Sequence, residues 1–347
     1  MNKKIFTKSA ALLGLVSLLN LSETQAQDIH FTQFNSSPLT VNPAFTGGFS
    51  GTWRAAAIYR NQWNSVTTPF VTYGASFDLP VVHNLSQDDY LAVGAQLYND
   101  RSGDGNLNNF SGLLSVAYHK FLGADLNKVL SFGVQGGYTQ KSIDLSKLYF
   151  GDEFINGNFQ PGTTMENLTN KVNYLTVNAG LSWSHRTGER FGYQLGIGAN
   201  NLNQPKESFM KQKNKDVGLG MRYTGQLGAI WQVSNRFSLR PGALYQYQSS
   251  AQEIVAGNEF HVIVGDYEIP SVATGLFLGA WYRNNDAIMA TAGIEFKGFR
   301  VGVAYDYNIS DLSKASKNYG GFEIALRYIA PDPMDFAKKV LYPCQRF

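Results

Sequence analysis

Residues 52 to 330 are written in runs of roughly ten residues, apolar and polar side chains alternating, and each run closes in a turn. In Ala287–Phe296, Ile288, Ala290, Ala292, Ile294 and Phe296 share one face; Met289, Thr291, Gly293 and Glu295 share the other. Successive side chains of a strand point to opposite faces, so each run has one greasy side and one wet side. A strand of a soluble sandwich needs only about five or six residues, whereas a tilted strand crossing a bilayer needs about nine to eleven. Many long alternating strands in series, with no helical periodicity between them, predict an all-β fold: a transmembrane outer-membrane β-barrel.

The N-terminus fits that destination. Lys3, Lys4 and Lys8 precede an apolar run from Ala10 to Leu21, and Thr24-Gln25-Ala26 offers small residues for cleavage before Gln27. Residues 1–26 therefore read as a secretory signal peptide, because the apolar run is too short to span a membrane. Cys344 is the single cysteine, which excludes an internal disulfide and a cysteine-based metal cluster. The formal charge of +3 is small and scattered, without the basic stripe that nucleic-acid binding requires.

About 14 antiparallel strands can be marked between residues 52 and 330, from Thr52–Arg60 to Phe322–Ile329. The run Glu253–Val264 alternates cleanly only at Phe260, Val262 and Val264. An even number places both termini on the periplasmic side, with long odd connections outside and short even ones inside. Ser142–Lys171, Leu202–Gly220 and Ser310–Gly321 are long and odd; Arg186–Glu189, Ser234–Arg236 and Lys297-Gly298 are tight and even. Two connections break the rule: the second is long, and the eleventh, Asn284–Asp286, is short.

On the last three strands Glu295, Arg300, Asp306, Glu323 and Arg327 fall on the inward face, where neighbouring strands would pair opposite charges in a ladder. Phe299, Val301, Val303, Tyr305, Tyr307, Phe322, Ile324, Leu326 and Tyr328 fall on the lipid face, with tyrosines near the rims. Gly192, Gly196 and Gly198 either leave room for a plug or relieve barrel curvature.

Two segments do not alternate. Residues 27–51 carry prolines and turn residues that forbid a regular central strand, and they are expected to form an irregular segment plugging the periplasmic mouth. The tail, 331–347, opens with Pro331-Asp332-Pro333 and is expected on the periplasmic side, where Asp335 would cap a short helix.

The residues at both ends carry a resemblance. Gln27–Phe34, followed by Pro38-Leu39-Thr40-Val41-Asn42-Pro43-Ala44-Phe45-Thr46-Gly47, resembles the start of mature PorP/SprF-family proteins. Tyr59-Arg60-Asn61-Gln62-Trp63 is similar to the family's tyrosine-arginine-x-glutamine-tryptophan signature, and Pro343-Cys344-Gln345-Arg346-Phe347 to its closing tail, with Gln345 where many members have proline. The resemblance covers the whole mature chain. It implies an outer-membrane component of the Bacteroidetes type IX secretion and gliding machinery. Members of that family either belong to the core apparatus or serve one secreted surface adhesin through its C-terminal sorting domain. Carried over, it makes Phe31, Phe34, Asn42, Pro43, Phe45, Tyr59, Arg60, Trp63, Cys344 and Phe347 candidate partner-binding residues. For each of them a purely structural role (mouth closure, or an aromatic belt at the interface) is the competing reading.

Catalytic chemistry has little support. His30, His83, His119, His185 and His261 show no metal-ligand spacing, and neither a nucleophile elbow nor a phosphate-binding loop is present. Asp100–Asn106 has the start of a calcium loop but ends on Ser111 where a bidentate glutamate is needed, so it reads as a surface turn. Lys211, Lys213 and Lys215 read as a solvated loop. The leading expectation is a non-enzymatic, cofactor-free platform that binds an adhesin or secretion components. A passive or hydrophobic-substrate channel is the alternative, and an outer-membrane hydrolase ranks last.

Overall fold

The structure is a computed structural model and describes residues 31–332, except 65–67, 87, 124, 156, 161, 163, 212–217, 266–272 and 312. The signal segment, His30, Lys213, Lys215 and the tail from Pro333, with Asp335, Cys344 and Phe347, lie outside the described residues.

Each of the fourteen expected runs is a strand. In chain order they are β1 (Arg54–Gln62), β2 (Phe70–His83), β3 (Tyr90–Ser102), β4 (Leu107–Leu122), β5 (Lys128–Ser142), β6 (Lys171–Thr187) and β7 (Phe191–Asn200). The second half comprises β8 (Arg222–Gln232), β9 (Phe237–Gln248), β10 (Ala251–Ile263), β11 (Gly275–Arg283), β12 (Ala287–Phe296), β13 (Phe299–Asn308) and β14 (Tyr319–Ile329). Every strand pairs antiparallel with its neighbours, and β1 closes on β14 from Arg54↔Ile329 to Gln62↔Gly321. Closure leaves no unpaired edge, which is what a hydrocarbon environment demands of a sheet.

The alternation fixes which face is which. Along β13, Phe299, Val301, Val303, Tyr305 and Tyr307 are exposed, while Arg300, Gly302, Ala304, Asp306 and Asn308 are buried. An exposed surface studded with Leu114, Leu175, Ile197 and Leu278 would be an aggregation hazard in water and is the normal dress of a lipid-facing wall. Aromatic belts mark both rims. Tyr328 stacks on Phe299 and Trp53 at 4.3 and 5.0 Å at one end; Tyr59 meets Tyr73 at 5.2 Å at the other.

Prolines mark two of the interruptions in the ladder; a third, between Asp306 and Tyr307, has none. A register shift lies between Pro80 and Val82. Between β8 and β9 the pairing skips from Gly228↔Gly242 to Trp231↔Leu239, across Pro241, which has no N–H to give.

The long connections 143–170, 201–221 and 309–318 share one rim, and the turns 188–190, 233–236 and 297–298 share the other. The connection 264–274 is long on the short-turn rim, and Ser249-Ser250 is a two-residue turn on the long-loop rim.

Residues 31–51 fill the lumen. A 3-10 turn (Phe34–Ser36), a single α-turn (Pro38–Val41) and a second 3-10 turn (Pro43–Phe45) make a compact, strand-free segment. Pro38 and Pro43 each sit at the first helical position, where a missing N–H costs nothing. The segment begins among side chains near the long-loop ends of β1, β13 and β14 and descends to the short-turn rim, where β1 starts. It thus threads the barrel rather than lying over one mouth.

Candidate functional site

The plug is held by buried polar groups that the strands aim inward. At its upper end Thr32 and Gln33 donate their backbone N–H groups to the two carboxylate oxygens of Glu323, at 2.7 and 2.9 Å. The Thr32 hydroxyl donates to Asp306 at 2.7 Å and accepts from Arg283 at 3.2 Å. Arg60 bridges Glu323 and Asp306 at 3.0 and 3.2 Å, and Arg283 reaches Asp306 at 3.2 Å and Glu253 at 3.6 Å. Five strands contribute to this network, so the plug's first residues tie β1, β10, β11, β13 and β14 together. Phe34 packs edge-on against Trp281 at 5.4 Å, in a core with Val41, Leu244, Val255 and Met289. Phe31 packs on Ile58 and Ala325.

Asn42 is the centre of the plug and has no solvent exposure. Its side-chain amide donates to the carbonyls of Leu181 and Ile197 and to Gln226 Oε1, each at 3.1 Å. Its Oδ1 accepts from Ala44 N at 2.9 Å and caps the turn Pro43–Phe45. The wall makes room for this. A Cβ on Gly133 would fall 2.3 Å from the Pro43 carbonyl carbon, and one on Gly196 would fall 3.0 Å from both Asn42 Nδ2 and the Phe45 ring. Gly196 and Gly198 of β7 thus serve close approach of the plug.

At the lower end Gly47 donates to Asp78, whose carboxylate also holds Arg54 at 2.7 and 2.9 Å; Arg54 in turn donates to the Phe45 carbonyl. His119 stacks on Tyr90 at 4.3 Å between the Thr46 carbonyl and Ser131, each 2.7 Å from a ring nitrogen. Beside the plug, Gln96, Gln135, Asn178, Asn200, Asn201 and Arg222 line a polar cavity of about 30 Å3, room for a water or two.

A second charged group lies on the β9–β14 side near the short-turn rim. Arg300 pairs with Glu259 at 2.5 Å and Glu295 at 2.6 Å while stacking over Phe277 at 3.7 Å. Arg240 and Arg327 approach the same Glu295 oxygen at 3.6 and 4.0 Å. Of the expected ladder, Glu295, Arg300 and Arg327 meet here, whereas Asp306 and Glu323 pair with Arg60 and Arg283 in the upper network.

The structure separates the candidate residues by role. Phe31, Phe34, Asn42 and Pro43 are buried in the plug, Phe45 is half-buried there, and Arg60 is enclosed by the acidic network. Tyr59 faces outward in the aromatic belt. Trp63 follows β1 with a positive φ of 55°, donates its N–H to the Gly320 carbonyl and meets Phe70 edge-on at 4.8 Å. Sequence reading missed Arg54, Asp78, Arg240, Glu253, Glu259 and Arg283 as part of this machinery. The signal was present: in each strand they share parity with the residues that face away from lipid.

Above the barrel two long connections form one platform. Thr169 and Lys211 exchange backbone bonds with Phe209 and Asn167, and Lys141 and Tyr174 both bond Glu207. Within the first connection Phe154–Ile155 pairs with Asn158–Phe159. Glu153 is buried there, accepting from Phe150 N and Gly162 N. Tyr149 and Met165 are 74% and 94% exposed.

In fold the chain is similar to the toluene transporter TbuX of Ralstonia pickettii (10% identity, 85% of this chain and 94% of that one, TM-score 0.50). Two further solved structures are the CymD monoaromatic hydrocarbon channel (10% identity, 84% and 91% covered, TM-score 0.46) and the translocator domain of autotransporter NalP from Neisseria meningitidis. The latter is 13% identical, with 94% and 95% covered and a TM-score of 0.41. No curated protein matches the sequence. The family of the type IX secretion system membrane protein PorP/SprF matches residues 23–328, so this outer-membrane β-barrel belongs to the PorP/SprF family.

Proposed function

We propose that the barrel is a non-enzymatic platform of the type IX secretion and gliding apparatus, with both termini in the periplasm and the long loops outside. Its external surface binds the C-terminal sorting domain of a secreted surface adhesin, or the export machinery that handles it. The observation that carries this reading is the paired platform of residues 143–170 and 201–211. It is braced by Glu207 and presents Tyr149, Phe154, Ile155 and Met165 to solvent beyond the strand ends. Exposed aromatic and methionine side chains on a braced loop surface suit protein recognition. The plug favours a platform over an open channel, because residues 31–51 occupy the lumen through many buried bonds. Tagged protein purified from its native outer membrane in mild detergent should carry a large secreted protein or secretion subunits. The variant carrying Tyr149→Asp and Met165→Asp should lose that companion while keeping the barrel. A barrel recovered alone from the wild-type membrane would overturn the platform.

A further inference from the structure

The charged group near the short-turn rim is unbalanced. Arg54 is matched by Asp78, but among the described residues Arg240, Arg300 and Arg327 share just Glu259 and Glu295, with His261 bonded to Glu259 at 2.6 Å. Three fixed positive charges thus face two negative ones in a lumen where isolated charge is costly. The geometry repeats the imbalance. Glu295 Oε1 is already committed to Arg300 at 2.6 Å, so Arg240 and Arg327, at 3.6 and 4.0 Å, approach an oxygen that is taken. Arg327 has one further bond, a long 3.4 Å contact to the Asn35 carbonyl. The Nε–H groups of Arg240, Arg300 and Arg327 are all buried with no hydrogen-bond partner among the described residues. A buried, orphaned donor on a guanidinium is expensive, and this cluster carries three.

Access is also present. The side chains of Arg240, Glu295 and Arg327 remain 33, 24 and 19% exposed although they point into the lumen, so water reaches them. They lie within a few residues of the short-turn ends of β9, β12 and β14, and Arg327 touches the first turn of the plug at Asn35. Arg240 and Arg327 approach one carboxylate oxygen from two strands, which sets their planar forks close enough for a single tetrahedral or planar anion to bridge them. Guanidinium forks match such oxyanions in shape as well as charge.

We propose that this vestibule is an oxyanion-binding site, opening on the short-turn side of the barrel and taking one phosphate group between Arg240 and Arg327. The bound group supplies the missing negative charge. The proposal is independent of the adhesin-platform reading, because it concerns the opposite end of the barrel.

The test is calorimetric titration of the full-length protein, folded in detergent, with inorganic phosphate. Dihexanoyl phosphatidic acid is titrated in parallel to separate a free solute from a lipid headgroup. Saturable binding of about one phosphate per barrel is expected. Arg240→Gln leaves two charges against two and should weaken binding roughly tenfold or more. Glu295→Gln increases the positive excess and should tighten it. A merely structural role for Glu295 would not produce that opposite shift. Arg327→Gln gives the same readout should Arg240→Gln fail to fold, folding being checked by heat-modifiable gel migration. Equal affinity for both ligands points to a free anion, and preference for the lipid to a headgroup; either supports the site. Absence of saturable binding in the wild-type protein, or unchanged affinity in both charge variants, would overturn it.

Discussion

The Oδ1 atom of Asn42 occupies the place where a side chain on Gly180 would begin, 1.9 Å from the Cβ that any other residue would carry. The plug and the wall of β6 are therefore fitted to each other at a single atom. Gly180→Ala must push Asn42 out of its bonds to Leu181, Ile197 and Gln226. Asn42→Ala should cost about 1–3 kcal/mol through lost buried hydrogen bonds. Much of the Gly180→Ala penalty should vanish when Asn42 is already alanine, since the clash is then gone. Urea unfolding of the two single variants and the double variant in lipid vesicles, followed by tryptophan fluorescence, measures this coupling. Additive penalties would refute the fit.

Glu323 is the anchor of the plug's other end. One buried carboxylate accepts two plug N–H groups and one guanidinium, so Glu323→Gln removes a charge and one of its acceptor atoms together. Losing one partner of a buried ion pair costs about 3–5 kcal/mol, and retention of Asp306 by Arg60 places this variant near the lower figure. The residues that should feel it are 31–36, whose amide hydrogen exchange should accelerate at least about tenfold while the strands stay protected. Unchanged exchange there would mean that the apolar seat of Phe31 and Phe34 holds the plug by itself.

The strands were legible because lipid on one side and lumen on the other impose a period of two on every residue. That pressure reaches even β10, where Phe260 and Val262 carry a weak signal. Charge pairs between sequence neighbours, such as Glu295 with Arg300, could be read for the same reason. Asn42 could not be placed beforehand. Its partners lie 139 to 184 residues away, and an irregular segment has no period to betray which wall it meets. Arg60 shows the same gap. Its motif marked it as a candidate, but only the barrel's closure brings Asp306 and Glu323 round to it.

Glu207 of the connection 201–221 is held by Lys141 at the end of β5, 2.5 Å away and partly exposed, with Tyr174 of β6 on the other carboxylate oxygen. Exposed pairs of this kind are worth about 1 kcal/mol or less, so barrel stability should hardly change in Glu207→Gln. The loops should respond more. Protease cleavage within residues 201–211 should quicken relative to wild type while the barrel core remains intact. Equal cleavage rates would show that the backbone bonds of Thr169 and Lys211 hold the platform unaided.

Asp89 gives the short-turn side a dependence on acid. It sits in the turn 84–89, almost wholly buried, and accepts from Tyr118 Oη at 2.5 Å and Phe121 N at 2.8 Å, with Lys120 at 3.5 Å. Burial pushes its carboxyl upward, but these bonds outweigh burial and hold it below the ordinary value of 3.8. A carboxylate lowered in the folded state stabilises that state fully above its unfolded value. The contribution fades as pH falls through the folded value. Stability of the β2–β3 turn against β4 should therefore be flat near neutrality and drop only at strongly acidic pH. In Asp89→Asn that acid-linked drop should be missing and the turn weaker near neutrality, the difference from wild type closing as pH falls through the folded value. Protection of the Phe121 amide, measured from about pH 6 to about pH 2, reads both effects, and an identical pH profile in the variant would show that Asp89 does not govern the turn.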